Sequence, residues 1–206
     1  MSRAIPEYHR RVADRNRSAI LAAATELFPE NGYDRTSLAH IARNAGVSKA
    51  TLFKQFPTKA LLFEATVLEV GRTPGRNATV PPPGDLHSGL STLGREYAEV
   101  LAQPRTIALI RLVIAESPRF PELRERAFDF GTLPALAALR HYLRVEQEAG
   151  SVRADSTDIA ATQFLGMIAS AIFWPRLVHA GWSIDAKDTS LAIEEAVRTI
   201  VARYGA

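Results

Sequence analysis

Three residues that stop helices, Gly32, Gly46 and Pro57, cut the first third of this chain into pieces too short for anything but small helices. Ahead of them, Ile20, Leu21, Ala24, Leu27 and Phe28 recur at the spacing of one helix face, which predicts a helix from Arg15 to Glu30, ended by Asn31-Gly32. Next comes a short helix from about Ser37 to Asn44, with Thr36 or Ser37 as its cap and Leu38, Ile41, Ala42 and Ala45 on its inner side. After the tight turn Ala45-Gly46-Val47, Ser48 caps a helix of about two turns, Lys49 to Phe56. Its Leu52 and Phe56 lie four apart and face inward. Thr58 caps the next helix, Lys59 to Val70. Two short helices across a Gly-containing turn, preceded by a longer one, make a helix-turn-helix. Its second short helix would expose Lys49, Ala50, Thr51, Lys54 and Gln55, small, polar and cationic side chains suited to a DNA major groove. An ordinary helical hairpin with a polar outer face would show the same pattern.

Charge is divided unevenly along the chain. Residues 1–60 hold ten basic and five acidic side chains, and the remainder holds 15 basic and 17 acidic. A basic head on a mildly acidic body is expected where one end meets a polyanion. Lysine in a first helical turn opposes the macrodipole, at a cost of about 0.3–1 kcal/mol. This sequence does so at Lys49 and again at Lys59, and both become favourable if a phosphate sits at the helix start.

Gly71 to Gly84, with Pro74, Gly75 and the run Pro81-Pro82-Pro83, is too rich in breakers for helix. Beyond it the pattern is helical throughout, with spans at Asp85–Ala102, Pro104–Glu116, Pro121–Phe130, Leu133–Ala149, Thr157–Ala180 and Asp188–Tyr204. Pro175 should bend its helix. The fold class is all-α, with about nine or ten helices. The absence of cysteine excludes disulfides and thiolate chemistry. Arg10-Arg11-Val12-Ala13-Asp14-Arg15 occupies the place of a signal peptide's apolar core, and the apolar stretch Ile159–Trp174 is broken by Thr162, Gln163 and Ser170, so a cytoplasmic protein without a membrane span is expected. The histidines 9, 40, 87, 141 and 179 offer no local metal motif. Gly89-Leu90-Ser91-Thr92-Leu93-Gly94 is not a nucleophile elbow, and no phosphate-cradling glycine loop occurs. An enzyme is therefore not expected, and neither metal nor cofactor is implied.

The run from Gly32 through Thr36, His40, Arg43, Gly46 and Ser48, followed by Thr51-Leu52-Phe53 and Phe56-Pro57-Thr58-Lys59, closely resembles the DNA-binding domain of TetR/AcrR transcriptional regulators over roughly residues 14–64. The segment from Ile110 to Leu123 looks like effector-domain helices of one branch of that family. The resemblance implies a DNA-binding domain with a basic N-terminal arm at 1–58 and a helical effector-binding and dimerisation domain at 59–206. It further implies a homodimeric regulator, usually a repressor, binding a palindromic double-stranded operator and released by a small molecule; an activator or a ligand-independent DNA-binding protein is the alternative.

Carried over by position, Thr36 and Lys59 look like phosphate contacts. Ser48, Lys49, Ala50, Thr51 and Lys54 look like the groove-facing set, with Arg15 or Arg17 in support. The family commonly has tyrosine where this chain has Phe53, so a hydroxyl contact is lost there. The expected dimer residues are Phe164, Met167, Ile168, Ala171 and Ile172 on one helix and Ala196, Val197 and Ile200 on the last, although the same residues would serve as internal core. The effector site is expected among Tyr97, Arg111, Phe128, Phe130, Phe173 and Trp174, with Glu116 and His179 as further polar groups, although core packing would also account for the aromatics.

Overall fold

The structure, a computed structural model, describes residues 4–70, 80–121 and 134–206. Ten helices occur among them: α1 (Ala4–Asn31), α2 (Leu38–Asn44), α3 (Lys49–Gln55), α4 (Lys59–Val70), α5 (Leu86–Ala102), α6 (Pro104–Glu116), α7 (Pro134–Glu148), α8 (Thr157–Ile172), α9 (Trp174–Val178) and α10 (Ala186–Tyr204). The only β feature among the described residues is an isolated antiparallel bridge between Val152 and Gly205. The chain divides into two compact units, one containing described residues 4–70 and 108–121, the other 80–107 and 134–206.

In the first unit, α1 packs against α2, α3 and α4. Its core joins Ile20, Leu21, Ala24, Leu27 and Phe28 of α1 to Ile41, Ala42, Leu52, Phe56, Leu62, Phe63 and Val67, and takes Leu109 and Val113 from α6. Aromatic rings meet at the centre: Phe28 and Phe63 are edge-to-face at 5.0 Å, and Tyr33 lies 5.4 Å from Phe63 and 5.0 Å from Phe120. Gly32 ends α1 at φ +83°, and Gly46 makes the α2–α3 turn at φ +66°, conformations in which a Cβ would be strained. Ser37 is the α2 cap, accepting from the His40 N–H at 3.1 Å.

The second unit packs α10 on α5 and α8, and α7 on α8 and α5. Leu90, Leu139, Leu143, Phe164, Ile168, Val197 and Ile200 fill it. Inside lies a carboxylate, Glu146, fully buried. It accepts hydrogen bonds from the Gly84 N–H at 3.1 Å, the Tyr142 hydroxyl at 2.6 Å and the Ser151 hydroxyl, which together replace its lost hydration. Burial and this carboxylate push the Tyr142 phenol well above its ordinary range.

Two helix expectations change, and a third falls outside the described residues. The first helix begins at Ala4 rather than Arg15, because its early turns are exposed and carry no apolar periodicity to read. The span expected from Thr157 to Ala180 breaks rather than bends: α8 ends at Ile172 and Pro175 stands at the start of α9, where its missing N–H is tolerated. The expected helix Pro121–Phe130 lies almost wholly outside the described residues.

Gly89 and Gly166 provide a paired stability test. A Cβ on Gly89 would overlap the Tyr142 hydroxyl and ring, whereas one on Gly166 meets nothing within 4 Å. Gly89→Ala should therefore destabilise the second unit by about 2 kcal/mol or more in urea unfolding, and Gly166→Ala should leave a monomer's stability unchanged or raise it by up to about 1 kcal/mol.

Candidate nucleic-acid interface

The turn between α2 and α3 is fixed by backbone hydrogen bonds, Ala45 N–H to Ile41 O at 2.9 Å and Val47 N–H to Ala42 O at 3.0 Å. Ser48 then accepts from the Thr51 N–H at 3.0 Å, and its hydroxyl is 2.8 Å from that of Thr51. Below this cap, Leu52 is fully buried and Phe56 nearly so. A seven-residue helix cannot hold itself in water, so these two anchors and the cap set the orientation of α3. Ser48, Lys49, Ala50, Phe53 and Lys54 are left exposed, and Thr51 and Gln55 half-buried. The sequence-predicted groove-facing set thus shares one outer surface.

The supporting residues are distributed differently. Arg15 is exposed; Arg17 lays its guanidinium 4.6 Å above the Phe56 ring, joining α1 to the end of α3. Gln55 Nε2 donates to Ala13 O at 3.0 Å across the same seam. Thr36 is wholly buried, and its hydroxyl donates inward to Gly32 O at 2.7 Å, so the exposed residue at the start of α2 is Ser37. Lys59 is half-buried, with its ammonium donating to Tyr33 O at 2.9 Å and Asp34 O at 3.0 Å and lying 4.5 Å from the Tyr33 ring centre. These carbonyls offset the macrodipole at the start of α4 without an anion. Two of the three ammonium protons are thereby used.

A groove between α2 and α3 is lined by Ser37, His40, Arg43, Val47 and Lys49. Sequence reasoning missed His40 and Arg43. Their signal was the three-residue spacing 37, 40, 43, which aligns one outer face of α2.

The expected effector residues are divided between the two units. Arg111 belongs to the first unit, and Tyr97, Phe173 and Trp174 to the second; Phe128 and Phe130 lie outside the described residues. Phe173 is buried, Trp174 is 54% exposed, and burial pushes the Tyr97 phenol up to about 12, leaving it a neutral hydroxyl. Glu116 lies 3.8 Å from Arg119, and His179 is exposed. Of the expected dimer residues, Phe164, Ile168, Ile172, Ala196, Val197 and Ile200 are buried within the single chain, and only Met167 and Ala171 are half-exposed.

Residues 20–66 match the model of the tetR family of bacterial regulatory proteins. Residues 88–206, more than half of the chain, match the C-terminal domain of AefR-like transcriptional repressors. The chain belongs to the TetR family. As a TetR-family protein it is a DNA-binding transcriptional regulator and not an enzyme. The HTH-type regulator YezE of Bacillus subtilis is 28% identical over 149 residues, 69% of this chain and 75% of its own. An HTH-type regulator of Mycobacterium tuberculosis is 35% identical over 107 residues, 52% of this chain and 50% of its own. Among solved structures, a TetR-family regulator from Mesorhizobium loti aligns with a TM-score of 0.76 at 25% identity, covering 94% of this chain and 98% of its own. The flavonoid-responsive regulator FrrA aligns at 0.71 and 27% identity, covering 93% and 98%. No helix among the described residues of this TetR-family chain is long and apolar enough to cross a membrane.

Lys59 separates a structural from an electrostatic contribution. Lys59→Ala should cost the first unit about 1–2 kcal/mol in urea unfolding, through two lost charge-assisted hydrogen bonds. In fluorescence anisotropy it should weaken binding to specific and unrelated duplexes alike.

Proposed function

We propose that this TetR-family protein is a cytoplasmic, ligand-responsive repressor that binds a palindromic operator as a homodimer and leaves it when a small molecule binds the second unit. The observation that carries the reading is the exposed polar and cationic face of α3, held by Leu52 and Phe56 from behind. Ser48, Lys49, Ala50, Thr51 and Lys54 approach base edges and the flanking backbone, while Arg43 adds charge from α2. Arg15 and Arg17 meet phosphates beside α3. Lys59 offers its third proton to the backbone, and Thr36 acts by shaping the loop that bears Ser37.

The likeness to AefR-like repressors favours repression, and the relative named flavonoid-responsive favours a small-molecule effector. Tyr97, Arg111, Phe128, Phe130, Phe173 and Trp174 remain the proposed effector contacts. Coupling runs along α4 and also along α6, which begins in the second unit and continues into the first. There Leu109 and Val113 enter the core, and Arg119 and Phe120, just past α6, approach Asp34 at 3.9 Å and Tyr33 at 5.0 Å. A coupling of about 1–3 kcal/mol is enough for release.

The proposed dimer uses α8 and α10. Since Phe164, Ile168, Ile172, Ala196, Val197 and Ile200 already serve the internal core, the partner meets the outer faces of these helices with Met167 and Ala171. Ile159, Gly166, Ser170 and Leu191 are exposed there, with Ile159 57% and Leu191 54% exposed.

Two experiments test this. Selection from random duplexes should recover an inverted repeat with half-sites about 34–36 Å apart. Lys49→Ala and Thr51→Ala should each change base preference, by about 1–3 kcal/mol at the affected position; recovery of no consensus would remove the reading. Gly166→Leu should yield a folded monomer in sedimentation with at least tenfold weaker operator binding, whereas a dimer unchanged by it would remove the proposed interface.

A further inference from the structure

Of the side chains that α3 leaves exposed, one is large and apolar. Phe53 is 48% exposed, and no other large apolar side chain of α2 or α3 is exposed. It stands outside the packed core of its unit, which takes Leu52 and Phe56 from this segment. Packing therefore gives no reason for an aromatic ring at position 53. A lone exposed apolar residue is ordinary on a protein surface. Phe53, however, shares its surface with Lys49, Ala50 and Lys54, all of them exposed.

Successive residues of a helix stand about 100° apart around its axis. With Leu52 and Phe56 directed inward, Phe53 stands on the flank that carries Lys49 and Ala50. Thr51 and Gln55 take the opposite flank, where Gln55 donates to Ala13 O of α1 and the surface is closed. A phenylalanine has no hydrogen-bonding group, so it gives nothing polar to a phosphate or to a base edge. Base edges in the major groove display donors, acceptors and one apolar group, the C5-methyl of thymine. A ring with two side-chain torsions also loses less freedom on contact than the lysines beside it.

We propose that Phe53 is a specificity-determining residue that selects thymine at one position of each half-site by packing its ring on the thymine C5-methyl. This rests on the reading of α3 as the DNA-contacting helix, and adds to it an apolar readout that charge and hydrogen bonding do not supply. Lys49 and Phe53 lie one turn apart, about 6 Å along the axis. Phosphates along one strand recur about every 3.4 Å, so the selected thymine lies within about two base pairs of the base whose preference depends on Lys49.

The test uses the selected operator with each thymine replaced in turn by uracil, which removes the methyl and keeps every donor and acceptor. At one thymine, uracil in a single half-site should weaken wild-type binding about fourfold, the worth of one buried methyl-sized group, and uracil in both half-sites about fifteenfold. Phe53→Ala should bind the thymine and uracil duplexes equally, and Phe53→Leu should keep a ratio of about twofold. The urea midpoint of Phe53→Ala should match that of the wild type, because the ring is exposed. Three results would overturn the proposal. Uracil could be tolerated at every thymine; its penalty could survive in Phe53→Ala, which would assign the methyl contact to Ala50 or Thr51; or Phe53→Ala could weaken both duplexes alike, which would place the ring on the sugar-phosphate edge. Lys49→Ala is the separate arm. If it leaves base preference unchanged, the α3 reading itself fails, whereas a preference that depends on Lys49 together with any of the three results refutes the role of Phe53 alone.

Discussion

Everything in the first unit hangs on the burial of Leu52 and Phe56. A helix of seven residues is below the length at which backbone hydrogen bonds sustain themselves, so α3 exists because its two apolar side chains are locked against α1 and α2. Locking one face fixes the other. The same contacts that remove Leu52 from water leave Ser48, Lys49, Ala50 and Lys54 projecting together, without the conformational entropy that a flexible arm would lose on binding. Rigid presentation of a few side chains is what reading base edges requires.

Polar groups behind that surface are satisfied internally. Thr36 closes the end of α1 by donating to Gly32 O, and Lys59 secures the following loop through the carbonyls of Tyr33 and Asp34. Both residues bond to the segment between α1 and α2, so they determine where the loop before α2 stands. The stacked Phe28–Tyr33 pair and the edge-to-face contacts of both rings with Phe63 supply the apolar side of the same joint. In the second unit Glu146 plays a comparable part, pinning the start of α5 and the turn after α7 through Gly84, Tyr142 and Ser151.

Legibility in the sequence followed burial. Where apolar residues repeat at helical spacing, as at Leu62, Phe63 and Val67, the helix bounds Lys59–Val70 and Pro104–Glu116 coincide with those expected. The first turns of α1 carry no such repeat and were invisible, although their arginines are plain in the sequence. Charge count said that Lys59 opposes a helix dipole, but not that two carbonyls from a distant loop would meet it, since that contact spans 25 or 26 positions. Periodicity likewise could not divide the inner from the outer face of α8. Phe164, Ile168 and Ile172 form one stripe that reads equally as core or as interface, and in the single chain they are buried. Nor could aromatic content locate an effector site, because Phe173 and Trp174, adjacent in sequence, differ in exposure. His40 and Arg43 were legible only as spacing, and gained meaning once Lys49 stood across the groove from them.

The most direct measurement of the central claim is residue-resolved: amide NMR of the intact protein titrated with its selected operator. The account predicts that the largest shifts and the strongest protection from solvent exchange fall on Ser48 to Lys54, with the buried Leu52 amide responding through its helix, while the internal residues of α7 change little. Shifts centred elsewhere, with Lys49 and Thr51 unmoved at saturation, would contradict it.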